Sequence, residues 1–349
     1  MIRSPLALLA AGAAIVTIAS EGATTRLPVL RVVSERVVPL TLAADVRWVD
    51  GDHVLIADAD RGIARVAISG RDASVSWLAG WPVPAGPGSR YFHLGLSGGS
   101  TVAGDFAFGV GWREQRAESP IHKMSFEYVA DLDLDGGRLL ISGLRRDANG
   151  DLGSDGATAW IGSLTDGDAG LRPVLPFKNR GTIENCAGFG LGAVRFLANG
   201  SFLIVPGSER GIYLFGKEGR LARVWQTDEL GLDVDCDLTR DEQVVLTTKP
   251  VARQQWVNRR AIVDDIVDTP NGPALIVRKV AGGRTNWEMV VLNDGPPSVQ
   301  QLPVTSTSPW AHVSAATRGK GLVLLIADRV PGLADGAAPR LMHLQWSQR

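Results

Sequence analysis

One stretch of this sequence is written twice. Val46 to Trp77 reads VRWVDGDHVLIADADRGIARVAISGRDASVSW, and Val194 to Trp225 reads VRFLANGSFLIVPGSERGIYLFGKEGRLARVW. Arg61-Gly62-Ile63 falls on Arg210-Gly211-Ile212, and Gly70 on Gly219, once a single residue is inserted. Each copy holds an apolar run, a DG or NG turn, a second run, a Gly-centred turn and two more runs. That is the spelling of a four-stranded antiparallel sheet. A sheet repeated along a chain buries its faces by stacking on its copies, as propellers and solenoids do.

Hairpin patterns add further units. One begins near Tyr91 (YFHLGLSG, then STVAGDFAF). Another begins near Tyr128 with ADLDLDGGRLLISGL, where Asp131, Asp133 and Asp135 alternate with leucines. Two more start at Ile262 and around His312, and the last runs out after RLMHLQW with three strands. The β-rich segment Val32 to Leu40 is expected to supply the fourth strand and remove open edges. Thr239-Arg240-Asp241-Glu242 spells a capping box, and Pro250 suits the first turn of a second helix. The β-branched EQVVLTT offers a competing strand, hence a seventh blade. The expected fold is therefore all-β: a six-bladed β-propeller over residues 30–349, seven-bladed as the alternative, with a helical insertion at 227–260 after blade 4.

IADADRGIARVAISG (Ile56 to Gly70) resembles the repeat of NHL-type and related six-bladed propellers, in which an apolar-Ala-Asp strand leads into an Arg-containing third strand. The fourth blade departs from that pattern, with Val205-Pro206-Gly207 where Ala-Asp would stand. The resemblance implies a fold; such a superfold hosts binding modules and enzymes alike.

The chain of 349 residues opens with Met1-Ile2-Arg3 and an apolar run from Leu6 to Ala19. A run of roughly 14 apolar residues is short of the roughly 20 that a spanning helix needs. With the small residues Thr17 and Ala19 at its end, residues 1–19 are expected to be a cleaved signal peptide and the protein to be exported, periplasmic or extracellular. The formal charge is −1, and no basic cluster exceeds Arg145-Arg146 or Arg259-Arg260, which argues against nucleic acid or an anionic membrane as partner. Cys186 and Cys236 are the whole cysteine supply, expected as one disulfide in an oxidising compartment. Closing that loop would stabilise the fold by about 4 kcal/mol on the chain-entropy model. Two buried thiols or a metal pair are the rival readings.

Propellers gather the starts of their innermost strands around a central channel. Asp45, Asp131, Asp235 and Asp265 lie at or near that place, with His93 and His312 near it in two other units. Propeller lactonases and lyases hold a divalent ion there, and carboxylates with imidazole suit Ca²⁺, Mg²⁺ or zinc. Alternatively each Asp accepts backbone N–H bonds from the neighbouring blade and ties the ring together. A second metal candidate is the loop Asp147, Asn149, Asp151, Asp155, whose oxygen spacing resembles calcium loops. It lacks the turn glycine at Leu152 and a closing Glu, and Asp, Asn and Gly also simply make turns. Gly95-Leu-Ser97-Gly-Gly99 spells a nucleophile elbow, but in a hairpin rather than a strand-to-helix turn.

Two functions are expected from this. The first is a monomeric, non-catalytic scaffold that binds a protein, peptide or glycan in the channel mouth or on the loops. The alternative is a channel-centred, metal-dependent hydrolase or lyase, lactonase-like, using Asp45, Asp131, Asp265 and His312, with Ca²⁺ as a candidate ion. No motif supports a redox quinoprotein.

Overall fold

The structure, a computed structural model, describes residues 29–347 apart from 70–73, 80, 82–90, 98–99, 106–108, 115–119, 127, 146–156, 177–191, 207–209, 233–237, 309 and 329–335. The described strands form six antiparallel sheets of four strands. Five are blades written by consecutive strands. The first holds Ala43–Trp48, His53–Asp58, Gly62–Ala67 and Val75–Trp77. The second holds Tyr91–Ser97, Ser100–Asp105, Gly109–Glu114 and His122–Met124. The third holds Tyr128–Asp135, Arg138–Leu144, Ala157–Ser163 and Arg172–Pro176. The fourth holds Ala193–Phe196, Phe202–Val205, Gly211–Phe215 and Leu221–Gln226. The fifth holds Ile262–Thr269, Gly272–Ala281, Arg284–Val291 and Ser298–Ser306.

The remaining sheet is a composite of the two ends of the chain. His312–Arg318, Gly321–Ala327 and Arg340–Ser347 are joined by Val29–Val37, which pairs with Arg340–Ser347. The expected count of six blades, or seven, is corrected here: the chain writes five complete blades, and the C-terminal segment stops one strand short of another. The pairing strand is Val29–Val37, displaced from the expected Val32–Leu40. The innermost strands of the five blades and the closing sheet contact one another in order, and the last returns to the first. The fold is a closed β-propeller.

Each sheet packs both faces on neighbours, so its strands read as continuous apolar runs. Gly321–Ala327 is wholly buried. Leu322, Leu324 and Ile326 enter the cluster shared with the fifth blade, while Val323 and Leu325 enter the one shared with the first. Six such clusters, one per junction, make the core. Gly109 (φ +85°) shows how closely the strands approach: a Cβ there would lie 2.1 Å from the Met124 carbonyl oxygen.

After the fourth blade come two helices, α1 (Arg240–Thr248) and α2 (Pro250–Val257). The capping box is formed at the start of α1. The Thr239 N–H donates to Glu242 Oε2 (2.9 Å), and the Glu242 N–H donates to Thr239 Oγ1 (3.3 Å). EQVVLTT is thus helical, which removes the seventh blade. The pair buries its own small cluster of Leu238, Leu246, Ala252 and Trp256. Among the described residues no helix is long and apolar enough to cross a membrane. Residues 1–19, Cys186, Cys236, Asp235 and the loop residues Asp147, Asn149, Asp151 and Asp155 lie outside the described residues.

Candidate functional site: the channel centre and its funnel

In four innermost strands the pairing slips by one residue at the same place. The slips fall between Ala43 and Asp45, Tyr91 and His93, Val129 and Asp131, and Val263 and Asp265. A bulge of this kind re-aims the side chain that follows it. Asp45, His93, Asp131 and Asp265 therefore stand at equivalent positions around the channel.

Three of them clasp the next sheet. The Leu94 N–H donates to Asp45 Oδ2 (2.6 Å), the Val194 N–H to Asp131 Oδ2 (2.9 Å), and the Ala315 N–H to Asp265 Oδ2 (2.7 Å). In each case the other oxygen accepts the N–H of the residue just after the Asp. Ser314 of the closing sheet does the same for the first blade, accepting the Val46 N–H (3.0 Å) while its single hydroxyl hydrogen lies between Asp45 and Asp265, nearer Asp45. A further clasp runs from the Phe196 N–H to Asp133 Oδ2 (2.8 Å).

Two buried arginines complete the network. Arg47 Nη1 donates to Asp45 Oδ1 (2.5 Å) and its Nη2 to the Leu132 carbonyl (3.3 Å), with Asp131 at 3.7 Å and Asp133 at 4.0 Å. Arg195 donates through Nε to the Ile266 carbonyl (2.9 Å) and through Nη2 to Asp265, and its Nη1 lies 3.6 Å from Asp133. Asp45, Ser314, Asp265, Arg195, Asp133 and Arg47 thus form a closed polar loop, and His93 approaches it at Asp131 (3.7 Å). Charge is unbalanced at the channel centre: counting Asp131 beside Arg47, four carboxyl groups face two guanidinium groups.

That imbalance sets the protonation. Burial pushes Asp131 up to about 8, against the pull of Arg195 and Arg47, and burial raises Asp133 too. Burial lowers His93 to about 4 and lowers His312. For Arg195 burial works downward, but Asp265, Asp133 and Asp131 outweigh it and raise the group further. A raised carboxyl contributes stability that is complete below its unfolded value and is lost as pH rises through its folded one. A lowered histidine contributes stability present above about 6.5, lost as pH falls through its folded value. The two slopes oppose each other between about 4 and 6.5; above that, the raised carboxyls act with no histidine opposing them. The melting temperature is expected to change little from about pH 4 to 6.5 and to fall toward pH 8.5, with Asp131→Asn reducing the alkaline fall. A flat wild-type profile from 6.5 to 8.5 would contradict this assignment.

Of the expected metal ligands, Asp45 and Asp131 converge, and His93 is the third member: one ligand atom of each lies within 4.8 Å of the others. Asp265 is outside that group, held by Arg195 and Ala315. His312 is also outside it, with Nε2 against the Ala44 carbonyl (3.2 Å). The oxygens of Asp45 and Asp131 already accept the donors named above, so a cation would share them with N–H groups and Arg47. Ser97 lies in a strand and not at a strand-to-helix turn, and its hydroxyl accepts the Gly136 N–H (2.7 Å).

Where the innermost strands end, the channel opens into a funnel of about 630 Å³. Arg47, Asp133 and Arg195 line it, with Trp48, Leu96, Leu134 and Phe196 among the apolar lining and Thr317 and Arg318 from the end of the closing sheet's innermost strand. Neither arginine was singled out as a site residue, although the repeat carries the signal: each follows the first Val of its copy (VRW, VRF) in a strand otherwise destined for burial.

No protein-family model and no curated protein matches the sequence. Solved structures match in shape. A member of the DUF4221 family from Bacteroides vulgatus superposes with a TM-score of 0.55 at 8% identity, covering 92% of this chain and 98% of that one. The PQQ-bound aldose sugar dehydrogenase of Streptomyces coelicolor gives 0.52 at 13% identity, covering 91% and 98%. The WD40 repeats of RRP9 give 0.52 at 12%, covering 92% and 99%. Likeness at such identities shows the fold alone, and propellers of this shape include both enzymes and repeat domains.

Proposed function

We propose that this propeller is an exported, non-catalytic binding scaffold whose ligand enters the funnel at the channel mouth. One observation carries the proposal: Asp45, Asp131 and Asp265 at the channel centre are spent on backbone N–H groups of neighbouring sheets, on Ser314 and on the arginines. Groups held this way make a rigid floor, and a rigid floor favours binding by lowering the ordering cost. Export rests on residues 1–19 read as a signal peptide, and a Cys186–Cys236 disulfide would suit the same compartment. Kinship with NHL-type repeats rests on the first blade. There Asp58 ties its strand by accepting the Thr41 (2.7 Å) and Leu42 (3.2 Å) N–H groups, a role that Pro206 of the fourth blade lacks.

The alternative is a metal-dependent hydrolase or lyase, and the observation favouring it is the convergence of Asp45, His93 and Asp131. Thermal melts with Ca²⁺, with Zn²⁺ and with a chelator separate the two. A ligand that binds only the folded state raises its stability by mass action. The scaffold predicts the same melting temperature in all three; a rise with either ion, abolished by His93→Ala, would move the assignment to the enzyme.

A further inference from the structure

The funnel floor combines guanidinium donors that lack hydrogen-bond partners with a carboxyl group that has acceptor capacity left. Arg47 is 5% exposed, yet its Nε–H has no hydrogen-bond partner. Arg195 is 9% exposed; its Nη1 makes only the 3.6 Å ion contact with Asp133, its other nitrogens being engaged by Ile266 and Asp265. Between them sits Asp133 Oδ1, 3.6 Å from one guanidinium and 4.0 Å from the other, too far for a hydrogen bond to either; the carboxyl group is held by the Phe196 and Leu134 N–H groups and has lone pairs left over. A buried polar group left unsatisfied costs free energy, so this floor is built to receive something that both donates and accepts.

Charge decides which chemical class fits. An anion entering the funnel meets Asp133, and a cation meets Arg47 and Arg195. A hydroxyl meets neither penalty: its oxygen accepts from the arginines and its hydrogen donates to Asp133. Above the floor, the apolar groups Trp48, Leu96, Leu134 and Phe196 offer contact to C–H surfaces. At about 630 Å³ the funnel falls in the range of small-molecule sites. We infer that the funnel binds a neutral, hydroxyl-rich ligand, the end of a glycan or a free sugar, with Arg47, Asp133 and Arg195 reading its hydroxyls. The inference rests on the scaffold proposal and narrows its ligand.

Calorimetric titration of the folded protein with four neutral sugars (glucose, galactose, mannose, N-acetylglucosamine) tests it, with glucuronate and glucosamine as charged comparators. At least one neutral sugar is expected to give binding heat that exceeds both comparators. Asp133→Asn should abolish that heat. Because Asp133 also clasps Phe196, so that its loss acts on the fold as well, Thr317→Trp provides an independent check: it fills the funnel from the rim, and Thr317 makes no hydrogen bond in the polar loop. Heat lost in Thr317→Trp, with an unchanged circular dichroism spectrum, supports the site. Sugar binding that survives Thr317→Trp puts the ligand elsewhere and overturns the inference. Binding of glucuronate or glucosamine alone overturns the neutral class but leaves the scaffold standing. No heat from any neutral sugar overturns the sugar site, while the metal melts judge the scaffold separately.

Discussion

Replacing Arg195 by Met is expected to cost about 4 kcal/mol, because breaking a buried ion pair strands the charge left behind. Two carboxylates lose their partner at once, Asp265 through its hydrogen bond and Asp133 through its 3.6 Å contact. The Ile266 carbonyl loses its donor as well. At roughly 2 °C per kcal/mol for a chain of this size, the melting temperature should drop by about 8 °C. The double variant Arg195→Met with Asp265→Asn should recover part of the loss, since removing both partners is far cheaper than removing one. A drop within about 1 °C of wild type, where isolated surface pairs fall, would mean that the polar loop does not hold the sheets together.

A chain beginning at Val38 should run at higher mass than the full chain. Val29–Val37 pairs eight residues with Arg340–Ser347, and Leu30 packs on the cluster containing Trp346. The strand also reaches the first blade, where Arg36 donates to the Ile68 and Ser69 carbonyls, and Glu35 pairs with Arg340 at 2.8 Å. At about 1 kcal/mol per net hydrogen bond its removal costs several kcal/mol. It also bares an edge strand, a template for pairing with other chains. Size-exclusion chromatography should show higher-mass species, and a synthetic peptide of residues 29–37 should restore the elution position of the full chain. A truncated monomer with the wild-type melting temperature would show that the ring closes without this strand.

Much of the architecture was legible along the chain because it is local. The DG and NG turns, the period-2 strands and the Thr239–Glu242 capping box all act over a few residues, and each appears where its chemistry puts it. The blade count was harder. A sheet shared between residues 29–37 and 312–347 leaves no contiguous spelling, and a helical segment rich in Val and Thr imitates a strand until its cap is formed. The channel carboxylates were recognisable by position, but the residues they engage were not. Bulges at Ala44, Phe92, Ala130 and Asp264 shift the register by one, and a one-residue shift turns a side chain to the other face.

Sequence by itself determined that this chain makes repeated antiparallel sheets stacked on both faces, because hydrophobic period and turn chemistry are written within each repeat. It also placed an acidic residue at the start of the innermost strand in three of the five blades. Only the tertiary structure decided what those acids do. Asp45 meets Ser314 and Asp265 meets Arg195 only once the ring has closed and brought distant segments within hydrogen-bond reach. Hydrogen bonds and ion pairs act over a few ångströms, and no periodicity along a chain encodes which distant strands will come that near.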